Sequence, residues 1–115
     1  NQPHLALCHN PDAADQPIWN GYQGWLLCGH THGGQIKPPF LAPPVLSVIN
    51  RRYVAGEYDL GDGRRMYINP GIGYAHRIRF NMRPEITVFE LVRESNSQPV
   101  AQISNKITLP RRGVV

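Results

Sequence analysis

No apolar run among these 115 residues approaches the ~20 that a helix needs to cross a bilayer, and no signal-peptide pattern opens the chain. It also opens without an initiator methionine, so an anchor further upstream stays open. Charge forms no block. Twelve Lys and Arg against eight Asp and Glu give a net charge of +4 and a pI near 9.4, most of the positive charge coming from arginines in pairs (Arg51-Arg52, Arg64-Arg65, Arg111-Arg112) and singly at Arg77, Arg79 and Arg83. A recognition helix, zinc-knuckle spacing and an RNP-like aromatic stretch are all missing, which speaks against a specific nucleic-acid reader. Scattered arginines suit a solvated face, pairing with acids elsewhere, or contact with a phosphorylated substrate or anionic lipid head groups. The two cysteines, Cys8 and Cys28, determine neither compartment nor redox state and read as small buried apolar residues on neighbouring strands. Eleven Gly and eleven Pro leave little room for long helices, while 41% hydrophobic residues suffice for one modest core or one layer of a larger domain.

What is there begins with "GHTHGG", Gly29 to Gly34, directly after the apolar run Trp25-Leu26-Leu27-Cys28. Alternate side chains of an extended strand share a face, so His30 and His32 can both serve one metal centre, and the flanking glycines let the backbone turn sharply beside a ligand. An isolated H-x-H is more often two polar residues near a turn that bind nothing. His9 shifts that balance, because it ends the short strand of residues 4 to 9 just as the pair ends the strand of residues 25 to 29. In α/β folds ligands gather at the carboxyl ends of strands. His4 reads as a surface residue.

Between these strands, residues 11 to 24 suit one or two helical turns, with Pro11 early and acids in the first turn. Residues 37 to 50, "KPPFLAPPVLSVIN", suit an extended rim, which either contacts substrate or merely connects. Beyond them "RRYVAGEYDL", "RRMYIN" and "EITVFELV" alternate as strands, the last with both faces apolar as an inner strand would have. "PVAQISNKITL" reads as a further strand or trailing ribbon, and Asp62-Gly63 as a hairpin turn.

"LALCHNPD" followed by "WLLCGHTHGGQI" resembles the last two metal motifs of the calcineurin-like metallophosphoesterases, in particular the YkuE/YaeI-type bacterial phosphodiesterase branch. The later "NPGIG", "IRF" and "PEITVFEL" stretches extend the resemblance over about residues 4 to 92. It implies an α/β (α+β) fold, with residues 1 to 115 forming the mostly β C-terminal portion of one phosphoesterase domain, a β-sandwich flanked by helices. The family's Asp-x-His, Gly-Asp-x-x-Asp and Gly-Asn-His-Asp motifs are not in this chain. The N-terminal half of the domain is therefore an expected partner, and the sheet alone should expose apolar surface.

The resemblance further implies a dinuclear site for two divalent cations (Mn, Zn, Fe or Mg), with His9 and His30 on one, His32 on the other, and His30 and His32 central to catalysis. The reaction would be hydrolysis of a phosphomonoester or phosphodiester, in a small molecule or a phospholipid-type substrate. Asn69 and Gly71 would shape the floor near the metals and Arg79 would meet a substrate phosphate. Gln35 would donate a hydrogen bond that orients an imidazole. His76 borders the pocket or, more simply, faces solvent. The protein would be cytoplasmic or peripheral at the inner membrane. Three histidines without a bridging carboxylate cannot hold two cations about 3.5–4 Å apart, so this chain alone should bind at most one metal, weakly, and be inactive. Two other readings stand beside this one: a non-catalytic metal-binding or assembly half of a split protein, and a basic anionic-ligand-binding β domain.

Overall fold

Short apolar stretches set the sheet, and the polar and glycine-rich turns that follow them set where the site lies. The computed structural model describes residues 5 to 92 and the backbone of Lys106–Thr108; His4 and Arg111-Arg112 lie outside the described residues. Strands β1 (Leu5–Cys8), β2 (Gly24–Cys28), β3 (Gly56–Asp59) and β4 (Arg64–Ile68) form one sheet in the order β1-β2-β4-β3. β1, β2 and β4 are parallel, and β3 runs antiparallel to β4 at the edge. A separate antiparallel pair joins β5 (Glu85–Thr87) to β6 (Lys106–Thr108). No α-helix occurs among the described residues; the Pro11–Asp15 segment is a five-residue 3-10 turn whose Asn10 side chain caps Asp12 N–H at 2.9 Å.

The period-2 rule divides the sheet into two faces. One carries Leu26, Cys28, Met66 and Ile68, all buried, and is closed by Ala14 from the 3-10 turn and by the fully buried Tyr53. The other carries Leu5, Leu7, Trp25 and Leu27. Leu7 is 76% exposed. Among the described residues of that side Tyr67 alone is sealed, by an edge-on Phe89 ring at 5.4 Å and by its hydroxyl bond to Glu85. The expectation of an exposed apolar face is met at β1.

Two expected strands are shorter in the structure. Of residues 51 to 60 only Gly56–Asp59 is strand, because Tyr53 turns into the core and its hydroxyl donates to Asp15 at 2.7 Å. Of residues 85 to 92 only Glu85–Thr87 pairs, and Ile86 and Val88 are exposed, so this is not an inner strand covered on both sides. The Asp62-Gly63 turn does close the β3–β4 hairpin, with Gly61 and Gly63 at φ +80° and +88°.

Thr31 ties the site turn to the sheet edge. Buried, it donates to the Val54 carbonyl at 2.6 Å and accepts from Gly33 N–H at 3.1 Å. Thr31→Val keeps the shape but strands both partners, which should destabilise the protein by about 1–3 kcal/mol on equilibrium denaturation.

Candidate metal centre

β1 and β2 end in register at Cys8 and Cys28, and Gly29 N–H extends the ladder by donating to the His9 carbonyl at 3.1 Å. His9 and His30 thus leave adjacent parallel strands at the same level. His9 Nε2 lies 3.1 Å from His30 Nδ1, with the rings edge-on at a centroid distance of 4.9 Å. His30 Nε2 stands 2.9 Å from the Ser47 carbonyl. A carbonyl only accepts, so His30 carries its proton on Nε2 and turns the Nδ1 lone pair toward His9. Two nitrogens about 2.0–2.1 Å from a common cation stand about 2.9–3.4 Å apart for angles between 90° and tetrahedral. The observed 3.1 Å is a hydrogen bond between the two rings and falls within that range as well.

Ser47 is held in turn. Asp12 accepts from Ile49 N–H and Asn50 N–H at 2.8 and 2.9 Å, stapling the Pro-rich loop back to the 3-10 turn. Sequence reasoning missed both residues. A backbone carbonyl leaves no mark in the sequence, and an acid in a first helical turn has an ordinary local explanation.

The turn after His30 is wound left-handed. His30, His32 and Gln35 have φ of +69°, +48° and +55°, and Gly33 and Gly34 have +62° and +73°. Non-glycine residues pay about 1–3 kcal/mol each there, and such conformations cluster at ligand sites. His32 Nδ1 is buried with no hydrogen-bond partner among the described residues. A buried polar nitrogen left unpaired is costly, and a cation is one group that could satisfy it. Among the described residues no three His, Cys, Asp or Glu side chains gather at one point.

The other expected site residues have more structural employment than the sequence suggested. Gln35 is buried and its amide donates to the His76 and Ile78 carbonyls at 2.6 and 2.8 Å while its oxygen accepts from Ala75 N–H at 2.7 Å; no imidazole is among its partners. It fastens the 75–78 segment to the histidine turn. Arg79 donates to the carbonyls of Pro70 and Gly71 at 2.9 and 3.3 Å, to Gly73, and at 3.5 Å to His32. Burial holds its guanidinium below the usual arginine range, and its Nε has no partner among the described residues. Its hydrogen bonds make it a clamp between the "NPGIG" loop and His32. Asn69 accepts from Gly71 N–H at 2.6 Å and donates to Thr87 at 2.8 Å, setting the φ +67° turn at Gly71. The loop reaches the site at Gly73, where an added Cβ would stand 3.9 Å from His32 Cε1. His76 is exposed.

Cys8 and Cys28 are cross-strand register partners and both are free thiols. Burial pushes the Cys28 thiol up to about 12, with the neighbouring Cys8 adding to the rise, and burial raises Cys8 as well. Thiolate is the reactive form, so Cys28 should resist a thiol reagent at pH 8 in the folded protein and react on unfolding. Rapid labelling of Cys28 in the native state would contradict this burial.

No family model and no solved structure matches the chain. Curated proteins do. Phosphodiesterase YaeI of Escherichia coli (strain K12) is 44% identical over 96 residues, covering 80% of this chain and 33% of its own length. Metallophosphoesterase YkuE of Bacillus subtilis (strain 168), itself uncharacterized, is 40% identical over 92 residues, 76% of this chain and 30% of its own. Over the matched part, this chain belongs to the metallophosphoesterase family. UDP-2,3-diacylglucosamine pyrophosphatase LpxG of Chlamydia muridarum is 30% identical over 100 residues, 80% of this chain and 30% of its own length. The chain spans about a third of the length of these metallophosphoesterase relatives. Among the described residues no helix is long and apolar enough to cross a membrane.

Proposed function

We propose that this chain supplies the histidine side of a dinuclear metal site that hydrolyses phosphomonoester or phosphodiester bonds. The 3.1 Å approach of His9 Nε2 to His30 Nδ1 carries the reading, since the Ser47 carbonyl occupies His30 Nε2 and leaves the His30 Nδ1 lone pair facing His9, where a cation would replace the hydrogen bond between the rings. His9 and His30 hold one ion and His32, through its unpartnered buried nitrogen, holds the other. When bound, the two divalent cations, drawn from Mn, Zn, Fe or Mg, polarise the phosphate and activate water. The remaining ligands, a bridging carboxylate among them, belong to the rest of the domain. Its docking would cover the β1–β2 face that leaves Leu5 and Leu7 exposed and complete an α/β sandwich. Arg79, Asn69 and Gly71 act on this reading by holding the floor loop against His32.

The relatives' names include a phosphodiesterase and a nucleotide-lipid pyrophosphatase, which supports a phosphorylated small molecule or a phospholipid-type molecule as substrate. The test is metal content together with hydrolysis of bis-p-nitrophenyl phosphate by the complete protein. Two divalent ions per polypeptide and activity abolished by chelation and restored by manganese are expected. One tightly held zinc with no chelator-sensitive hydrolysis would instead make this a structural metal module.

A further inference from the structure

The Pro-rich loop buries some apolar residues and presents others. Pro43 and Val48 are inside, and the turn is pinned where Gly34 packs on Pro43 and where Arg51 donates to the Pro43 and Pro44 carbonyls at 2.9 and 3.3 Å. With anchors on both sides, Phe40 is nevertheless 107% exposed, at φ +63°, with Leu41 at 66% and Val45 at 73%. A bulky residue at positive φ is uncommon. Here that backbone holds a phenyl ring fully off the surface.

A second exposed apolar segment lies beside the first. Phe80 N–H donates to the Gln35 carbonyl at 2.8 Å and Lys37 N–H to the Phe80 carbonyl at 2.9 Å, joining the base of the Pro-rich loop to Ile78 and Phe80, both more than half exposed. The charge around them is mostly positive, the exception being Glu85, whose carboxylate accepts from the Tyr67 and Thr87 hydroxyls. No Asp or Glu occurs from residue 16 to 56 or from 63 to 84. The nearby acids Glu57 and Asp62 are paired with Arg65 and Arg64. Lys37 and Arg83 line one open cleft of about 440 Å³ at this edge together with Glu85, and neither cation has a side-chain partner among the described residues.

We propose that the 36–45 and 78–83 loops form an interfacial docking surface for an anionic lipid bilayer, with Phe40 and Leu41 entering the head-group boundary and Lys37 and Arg83 meeting lipid phosphates. Projecting apolar side chains ringed by uncompensated cations are what such a surface requires, because apolar burial and attraction to anionic lipid add. A protein partner of the same apolar character would not need a rim in which Lys37 and Arg83 outnumber the one acid, Glu85, and make no ion pair among the described residues. The inference stands apart from catalysis: a protein that docked without hydrolysing anything would uphold it.

The experiment is sedimentation of the complete protein with phosphatidylglycerol-containing vesicles and with pure phosphatidylcholine vesicles. Wild type should partition onto the anionic vesicles, less so at high salt. Phe40→Ser/Leu41→Ser should lower that partition about 10-fold. Lys37→Gln/Arg83→Gln should lower it about 20-fold on anionic vesicles and leave phosphatidylcholine unaffected. Circular dichroism and thermal melting unchanged from wild type show that each variant is folded. A folded Phe40→Ser/Leu41→Ser variant that binds as wild type overturns the proposal, as does wild type that stays in the supernatant. In that second case, a doubled sedimenting mass lost in the same variant would assign the loops to a second copy. A Phe40→Cys variant shielded from a hydrophilic maleimide in a monomer would assign them to a cover from the rest of the polypeptide.

Discussion

On the proposed function, replacing His32 with alanine in the complete protein is expected to lower phosphodiester turnover by about 10³-fold while shifting the thermal midpoint little. The size follows from chemistry: losing a residue that only orients a metal ligand costs about 10–100-fold, so losing a ligand costs more. The small stability effect follows from geometry, since His32 Nδ1 is buried with no partner among the described residues, and removing it breaks no hydrogen bond from that atom. His30→Ala should be equally inactive but less stable, by about 0.5–1.5 kcal/mol, because its ring also bridges His9 and the Ser47 carbonyl. Steady-state kinetics, metal content and melting of the two variants distinguish these outcomes. Full activity in a His32→Ala protein would remove that residue from the metal site.

Gly34→Ala should be the most damaging glycine substitution near the site. Its φ of +73° disfavours any Cβ, and the added carbon would sit 2.3 Å from Pro43 Cβ and 3.0 Å from the Val45 carbonyl oxygen. Those neighbours are a ring held by Arg51 and a backbone oxygen, so relief requires moving the loop. Strain and overpacking together should cost about 3–5 kcal/mol, a large share of the total stability of a domain. Displacing residues 43 to 45 also disturbs Ser47, which holds the His30 proton, so metal affinity should fall with stability. Gly71→Ala is the control: φ is +67° but nothing lies within 4 Å of the new carbon, leaving only the backbone penalty of about 1–2 kcal/mol. Equal losses in both variants, measured by denaturation, would show that the Pro43 contact does not matter. At Gly33 the obstacle is the end of the Met82 side chain, which can swing aside at lower cost.

The sequence by itself determined the strands and the place of the histidines. LALC, GWLLC and RRMYI declare themselves by apolar runs bounded by turn residues, and Asp62-Gly63 declares its hairpin, because those signals act over a few neighbouring residues. His9 and His30 at two strand ends were legible for the same reason, as was the membership implied by GHTHGGQ. Only the tertiary structure decided what the supporting residues do. Gln35 and Arg79 look like ligand-binding groups in sequence, yet their partners are carbonyls of segments about forty residues away in chain or brought near by the fold. It likewise decided that Ser47 sets the His30 tautomer, that Tyr53 leaves its strand for the core, and that Phe40 points outward between buried Pro43 and its own loop base. The division is physical. Period and turn chemistry are local properties of a chain, whereas a hydrogen bond between a side chain and a distant backbone carbonyl depends on packing, and every residue type carries the same carbonyl.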